Sequence, residues 1–279
     1  MDRAAVQRRL DDLVQRNRFT IAVVFPAVGA VLLLASAEGL VPPPLAFQPT
    51  LILFGTLVMR LPLIAGVGPV VDRRAAVAVL ALTAYAYGIE LVGVRTGWPY
   101  GEFEYGIDLG PMAFGEVPVG LPVFFLPLVL NSYLLVLLLL GDATRRRAVR
   151  LLATLATVLV VDLVLDPGAV ALGFWSYSNG GAYYGVPLSN YAGWVLSGTV
   201  AVVCFDLAFD RAELLARLRS CEFALDDLVS FVVLWGGVNA VYGNWASVAL
   251  SVCLFAGLLR TDRFDFDVWR SQGDGFPDR

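Results

Sequence analysis

The chain has 279 residues, 58% of them hydrophobic, with a mean hydropathy of +0.73 and a formal net charge of −4. A soluble domain is seldom more than about half apolar, so this composition indicates a polytopic membrane protein without a second globular domain. There is no histidine and no lysine, and Cys204, Cys221 and Cys253 have no CxxC spacing, so no zinc or iron ligand set, disulfide framework or Schiff-base lysine is available and no metal or cofactor is expected; the acidic balance argues against nucleic acid as a partner.

In chain order, a basic tail (1–18) precedes apolar runs at 19–40, 45–68, 75–96, 118–140, 148–166, 190–209, 226–242 and 244–260, and an acidic tail (261–279) closes the chain. A membrane span needs roughly 17–25 residues, so the expectation is an all-α polytopic membrane protein of about eight transmembrane helices. The last two runs nearly touch at "YGNW" (242–245) and are expected to form a tight hairpin. With eight spans, 18 of the 20 arginines fall on one side. The positive-inside rule makes that side cytoplasmic, with both termini inside a multi-pass cell-membrane protein. A competing reading takes the N-terminal basic region, apolar run and "ASA" (35–37) as a cleaved signal peptide. It would leave seven spans in the same orientation.

Two segments resemble each other. Glu90 is followed by Gly97, Trp98 and, at 117–118, "VP"; Asp166 is followed by Gly173, Trp175 and, at 186–187, "VP". Acid and glycine are seven residues apart in both copies. Spans 3–4 and 5–6 therefore read as a parallel repeat, an arrangement that often sets a site at its interface.

Charged residues inside spans cost about 2.5–3.5 kcal/mol each on insertion scales and need a partner or a purpose. Asp162 and Asp166 are four apart and share a helix face. Two carboxylates held close in a low dielectric do not both ionise readily, so one is expected to hold its proton. Glu90 matches Asp166 in the repeat. These three are the candidate acid and base groups; the structural alternatives are interhelical hydrogen bonding for the aspartates and an ion pair with Arg95 for Glu90. Because Asp166 precedes Pro167, the helix is expected to stop there. Arg60 reads as a structural ion-pair partner and Asp206 as an interfacial anchor.

Aromatic residues gather on the arginine-free side: Trp98, Tyr100, Tyr105, Trp175, Tyr177, Tyr183, Tyr184 and Trp194. An interfacial aromatic belt explains many of them. Their company of Asn190, Arg95, acidic residues and repeated glycine–proline units fits a substrate-binding wall better. Carboxylates and aromatic faces suffice for acid-catalysed addition of water to an alkene. A carboxyl donates a proton, aromatic rings stabilise the tertiary cation, and a second carboxylate takes a proton from the attacking water.

The stretches "GIELVGVRTGWPYGEFEYG", "VPVGLPVFF" and "LDPGAVALGFWSYSNGGAYYGVPLSNYAGW" resemble the membrane-bound carotenoid hydratase family of the CruF type. The likeness covers spans 3 to 6 strongly and is nearest to the haloarchaeal branch. It implies hydration of the terminal double bonds of a long acyclic C50 carotenoid, bisanhydrobacterioruberin, giving bacterioruberin. The implied partners are that lipid-soluble substrate, water, bilayer lipids and other membrane enzymes of the same pathway. The alternatives are a proton-coupled membrane transporter and a non-catalytic carotenoid-binding protein.

Overall fold

A computed structural model describes residues 3–264 and residue 266. The basic segment ahead of the first span is helix α1 (Arg3–Arg16). A π-helical turn (Thr20–Val24) leads into α2 (Phe25–Ala37), followed by α3 (Pro49–Val67), α4 (Arg73–Thr96), α5 (Leu121–Leu140), α6 (Arg147–Ala171) and α7 (Leu188–Ala208). Six helical segments, the π-turn with α2 and then α3 to α7, are long and apolar enough to cross a membrane. A short α8 (Arg211–Ser220) then precedes α9 (Asp226–Tyr242) and α10 (Trp245–Arg260). These two form the anticipated hairpin. Gly243 takes φ +72° at the turn, and Asn244 donates to Asn239 Oδ1 at 2.9 Å.

At 17 and 16 residues, α9 and α10 are about 25 Å long at 1.5 Å per residue, short of a hydrocarbon core of about 30 Å. The start of α9 is drawn into the protein. Its first two residues, Asp226 and Asp227, are wholly buried. Asp227 meets Arg60 of α3 and Asn131 of α5, both well inside their helices. The hairpin returns the chain to its starting side, because Arg263 just beyond α10 donates to Leu218 and Cys221 carbonyls at the end of α8. Helix α1 docks at that same end, through Gln7 to the Ala65 carbonyl at 2.9 Å and Asp11 to Arg217 at 3.3 Å.

Helix α5 is central and touches α3, α4, α6, α7, α8, α9 and α10. Its middle turns, including Tyr133, Leu134 and Leu137, are wholly buried. Among α4 to α7, α4 touches α5 and α7, α6 touches the same two, and α5 touches α7. Exchanging α4 with α6 and α5 with α7 leaves that pattern unchanged, as a two-fold relation between two helix–loop–helix units requires.

The loops repeat the relation. Strand β1 (Phe103–Tyr105) follows α4 and pairs antiparallel with β4 (Trp175–Tyr177) after α6, in register Phe103 with Tyr177 and Tyr105 with Trp175. The sheet is centred on Glu104 opposite Ser176, and an aromatic residue and a tyrosine exchange places across it. A second small ribbon, β2 (Met112–Ala113) with β3 (Val117–Pro118), folds the α4–α5 loop over the bundle. The two matched glycines serve one purpose. Gly97 ends α4 at φ +73° and Gly173 follows α6 at φ +78°, left-handed geometry that a side chain would resist.

The expected end of the helix at Asp166 is corrected: α6 continues through Pro167 to Ala171. Proline lacks the N–H that would bond the carbonyl four residues back. Ser247 of α10 donates to that carbonyl, Leu163 O, at 2.8 Å, and Asn239 donates to Val164 O at 2.8 Å. Pro127 inside α5 is handled alike: the carbonyl it frees, Val123 O, accepts from Arg60 Nε at 3.2 Å.

Candidate active site

A largely apolar cavity of about 1320 Å³, measured with its open mouth, lies among α2 to α7 and α9 beneath the β1–β4 sheet. Helices α3 and α5 supply mostly aliphatic and phenyl groups, such as Met59, Leu121 and Phe125. The loops supply Tyr105, Phe174, Trp175 and Tyr177, and α9 supplies Trp235. Glu90 and Asp166 enter from the ends of α4 and α6. They are the matched acids of the two units, and the cavity lies on both.

Each acid is held by a tyrosine of its own loop strand. Tyr105 donates to Glu90 Oε1. Tyr177 lies 3.5 Å from Asp166 Oδ2, at the limit of hydrogen-bond reach. Burial, with the field of the adjacent acid behind it, raises both phenols well above the usual tyrosine range. Both hydroxyls therefore keep their protons and act as donors. The main holder of Asp166 is Asn190, whose amide also lies 3.4 Å from Asp162 Oδ2. Asn190 thus spans the two aspartates from the start of α7. Among the described residues no arginine forms an ion pair with Glu90, Asp162 or Asp166.

Asp162 stands one helical turn deeper than Asp166, fully buried, and is not part of the cavity wall. Of the candidate wall residues, Tyr100, Tyr105, Trp175, Tyr177, Asn190 and Trp194 line the cavity. Four lie elsewhere. Arg95 is exposed and pairs with Glu116 at 2.7 Å, not with Glu90. Its hydrogen bonds lower the Glu116 carboxyl below the usual range. Trp98 is 59% exposed just past the end of α4. Tyr183 hydrogen-bonds Ser247 at 3.1 Å, and the Tyr184 hydroxyl accepts from the Ala246 N–H at 3.1 Å. These two tyrosines fasten their loop to the start of α10.

Tyr100 is wedged between helices. A Cβ on Gly193 of α7 would lie 2.4 Å from the Tyr100 ring, and one on Gly93 of α4 would lie 3.1 Å from it. The two glycines leave the slot the ring fills, and the Tyr100 hydroxyl meets Ser197 Oγ at 2.7 Å. Gly168 does the same for Trp235, whose ring edge would be 2.9 Å from an added Cβ.

Sequence reasoning missed the polar end of the cavity. Arg60 lines it and pairs with Asp227, which also accepts from Asn131 at 2.6 Å. Asp226 pairs with Arg18 at 2.8 Å. Both aspartates stand at the edge of an apolar run, where a charge does not by itself call for a buried partner. The available signal was two acids opening an apolar helix, opposite an arginine inside another. Asp206 lies away from the cavity, held by Arg147 at 2.9 Å, Arg150 at 2.5 Å and Tyr133 at 3.0 Å, which agrees with the anchoring role.

Residues 47–258 match the family model described as "Carotenoid biosynthesis protein". The chain is 69% identical over 260 residues to the bisanhydrobacterioruberin hydratase of Haloarcula japonica, an alignment covering 93% of this chain and 88% of that protein. No solved structure matches the chain. The family match spans five of the six long apolar helical segments, α3 to α7, and both loop strands, and with a relative so similar along nearly its whole length, this chain belongs to the carotenoid biosynthesis protein family.

Proposed function

We propose that this protein is a membrane carotenoid hydratase that adds water to the terminal double bonds of a long acyclic carotenoid, converting bisanhydrobacterioruberin to bacterioruberin. The observation that carries the reading is the 69% identity, over 93% of the chain, to a protein named for that hydration. The cavity supports it with a fitting chemistry. Its wall is mostly apolar and aromatic, as an isoprenoid end group requires, and it holds two carboxyl groups in matched positions.

Glu90 and Asp166 are the acid–base pair of this proposal. One carboxyl gives its proton to the terminal alkene, leaving a tertiary cation. The faces of Trp175, Tyr177, Trp194 and Trp235 stabilise that cation. Water adds its lone pair to the cation and loses a proton to the other carboxylate. Tyr105, Tyr177 and Asn190 fix the orientation of the two acids, and Asp162 acts behind Asp166 through Asn190. These steps consume only alkene and water and need no metal or redox cofactor.

The membrane placement belongs to the same proposal. The segments holding 18 of the 20 arginines include α1, the α5–α6 connection, α8 and the chain after α10. The positive-inside rule assigns that end to the cytoplasm, with both termini there and the sheet-covered cavity towards the other face.

The test is turnover of the purified protein with bisanhydrobacterioruberin in detergent or lipid, in water enriched in ¹⁸O and without added cofactor. Label is expected in the new tertiary hydroxyl. Folded protein without turnover, or label arriving from O₂, overturns the proposal and returns the carboxylates to a transport or binding role.

A further inference from the structure

A hydration in a greasy cavity needs water held where the cation forms. Two polar atoms beside the Asp166 wall are buried and have no hydrogen-bond partner among the described residues: Asp162 Oδ1 and the Tyr191 hydroxyl. Asp162 is 0% exposed. Buried polar atoms are almost always satisfied, and a polar site with several such groups is where a buried water is found.

The two atoms belong to one neighbourhood. Asn190, adjacent to Tyr191 at the start of α7, reaches both Asp162 and Asp166. Both aspartates lie within electrostatic reach of the Tyr191 hydroxyl. The Tyr191 ring stands against that of Tyr183, with centroids 5.9 Å apart, and Tyr183 is tied to Ser247 of α10. Asn190 and Asp166 both line the cavity, so this neighbourhood adjoins it.

We propose that Asp162 and Tyr191 form a water-binding site that supplies the hydration, delivering its water past Asn190 to Asp166. The inference rests on the hydratase reading and assigns the two acids. Water arriving on the Asp166 side makes Asp166 the base and Glu90 the proton donor. The alkene π pair takes the Glu90 proton. The cation accepts the water lone pair, and the water's proton goes to Asp166, from which solvent exchange restores Glu90. Net, one C–H and one C–OH bond form at the expense of a C=C bond and an O–H bond.

The cation has a second fate, which provides the test. Without water at hand it returns a proton to Glu90 and becomes alkene again. In D₂O that failed cycle leaves deuterium in the recovered substrate. Tyr191→Phe removes one hydroxyl and no ring, and Asp162→Asn keeps the side-chain shape. Each is expected to raise the ratio of deuterium washed into substrate to product formed by about tenfold, the size of one hydrogen bond to the water. Thermal stability gives a second reading. Tyr191→Phe lowers the melting temperature if the hydroxyl holds water and raises it if the hydroxyl is an orphan. A ratio like that of the parent in both variants, or a raised melting temperature in Tyr191→Phe, overturns the water site. If the parent itself gives no hydrated product, the hydratase reading fails instead, so the two failures are distinguishable.

Discussion

Asp166 and Glu90 each border the cavity and each accept from a tyrosine of their own loop. Asp166→Asn and Glu90→Gln keep side-chain size and remove only proton-transfer capacity. Each is expected to lower turnover about 10²- to 10⁴-fold, the usual worth of a positioned acid or base. The melting temperature should stay near that of the parent, since no ion pair is broken. Product formation by chromatography beside a melting curve checks both; near-normal turnover in either variant makes that residue structural. Gly193→Ala is expected to act in the opposite order, through packing. Its Cβ would lie 2.4 Å from the Tyr100 ring, so the ring must leave its slot, at about 1–3 kcal/mol for an overpacked site. Denaturant unfolding in detergent should show that loss, and Gly193→Ser should show at least as much. The acids were legible in the sequence because charge inside an apolar run is costly and conspicuous. Arg95 was misread because sequence distance suggested Glu90, whereas the α4–α5 loop brings Glu116 to it. Tyr183 and Tyr184 fit the aromatic pattern but face α10, which no local pattern in their loop reveals.

At the scale of elements, α6 and α5 both carry a proline mid-helix and both continue. The sequence rule that a residue before proline leaves the helix is local. It failed at Asp166 because a distant helix satisfies the freed carbonyl, and nothing near Pro167 announces Ser247. This coupling can be measured. Ser247→Ala leaves Leu163 O without its donor, at an expected cost of about 1–3 kcal/mol for a buried unsatisfied acceptor. In the Pro167→Ala background the helix supplies its own N–H to that carbonyl, and the same Ser247→Ala change should cost much less. A double-mutant cycle on unfolding free energy therefore should be non-additive by about 1 kcal/mol or more; additive changes would mean that Ser247 does not serve the proline. The element boundaries of α3, α4, α5 and α7 were legible within a few residues because length and apolarity fix them. The recessed start of α9 was not, since burial of Asp226 and Asp227 depends on Arg18, between α1 and the π-helical turn, and on Arg60 of α3.

For the whole molecule, the arginine distribution and the chain path make one argument. Helix α1, the end of α8 and the residues after α10 meet at one end of the bundle, through Gln7 with Ala65, Asp11 with Arg217 and Arg263 with Leu218. The β1–β4 sheet, with Tyr105, Phe174, Trp175 and Tyr177 of the cavity wall, is built from the loops at the opposite helix ends. The parity read from arginines alone thus has a physical counterpart, in that the α9–α10 hairpin, though short, brings the chain back. Orientation follows if positive charge stays in the cytoplasm. Single cysteines in a background lacking Cys204, Cys221 and Cys253 test it. Ala182→Cys, exposed in the α6–α7 loop, should react with a membrane-impermeant maleimide on intact cells. Ala143→Cys, exposed between α5 and α6, should react only after the membrane is opened. The reverse pattern would invert the protein, put the cavity towards the cytoplasm, and leave the arginine asymmetry to be explained by partners rather than by insertion.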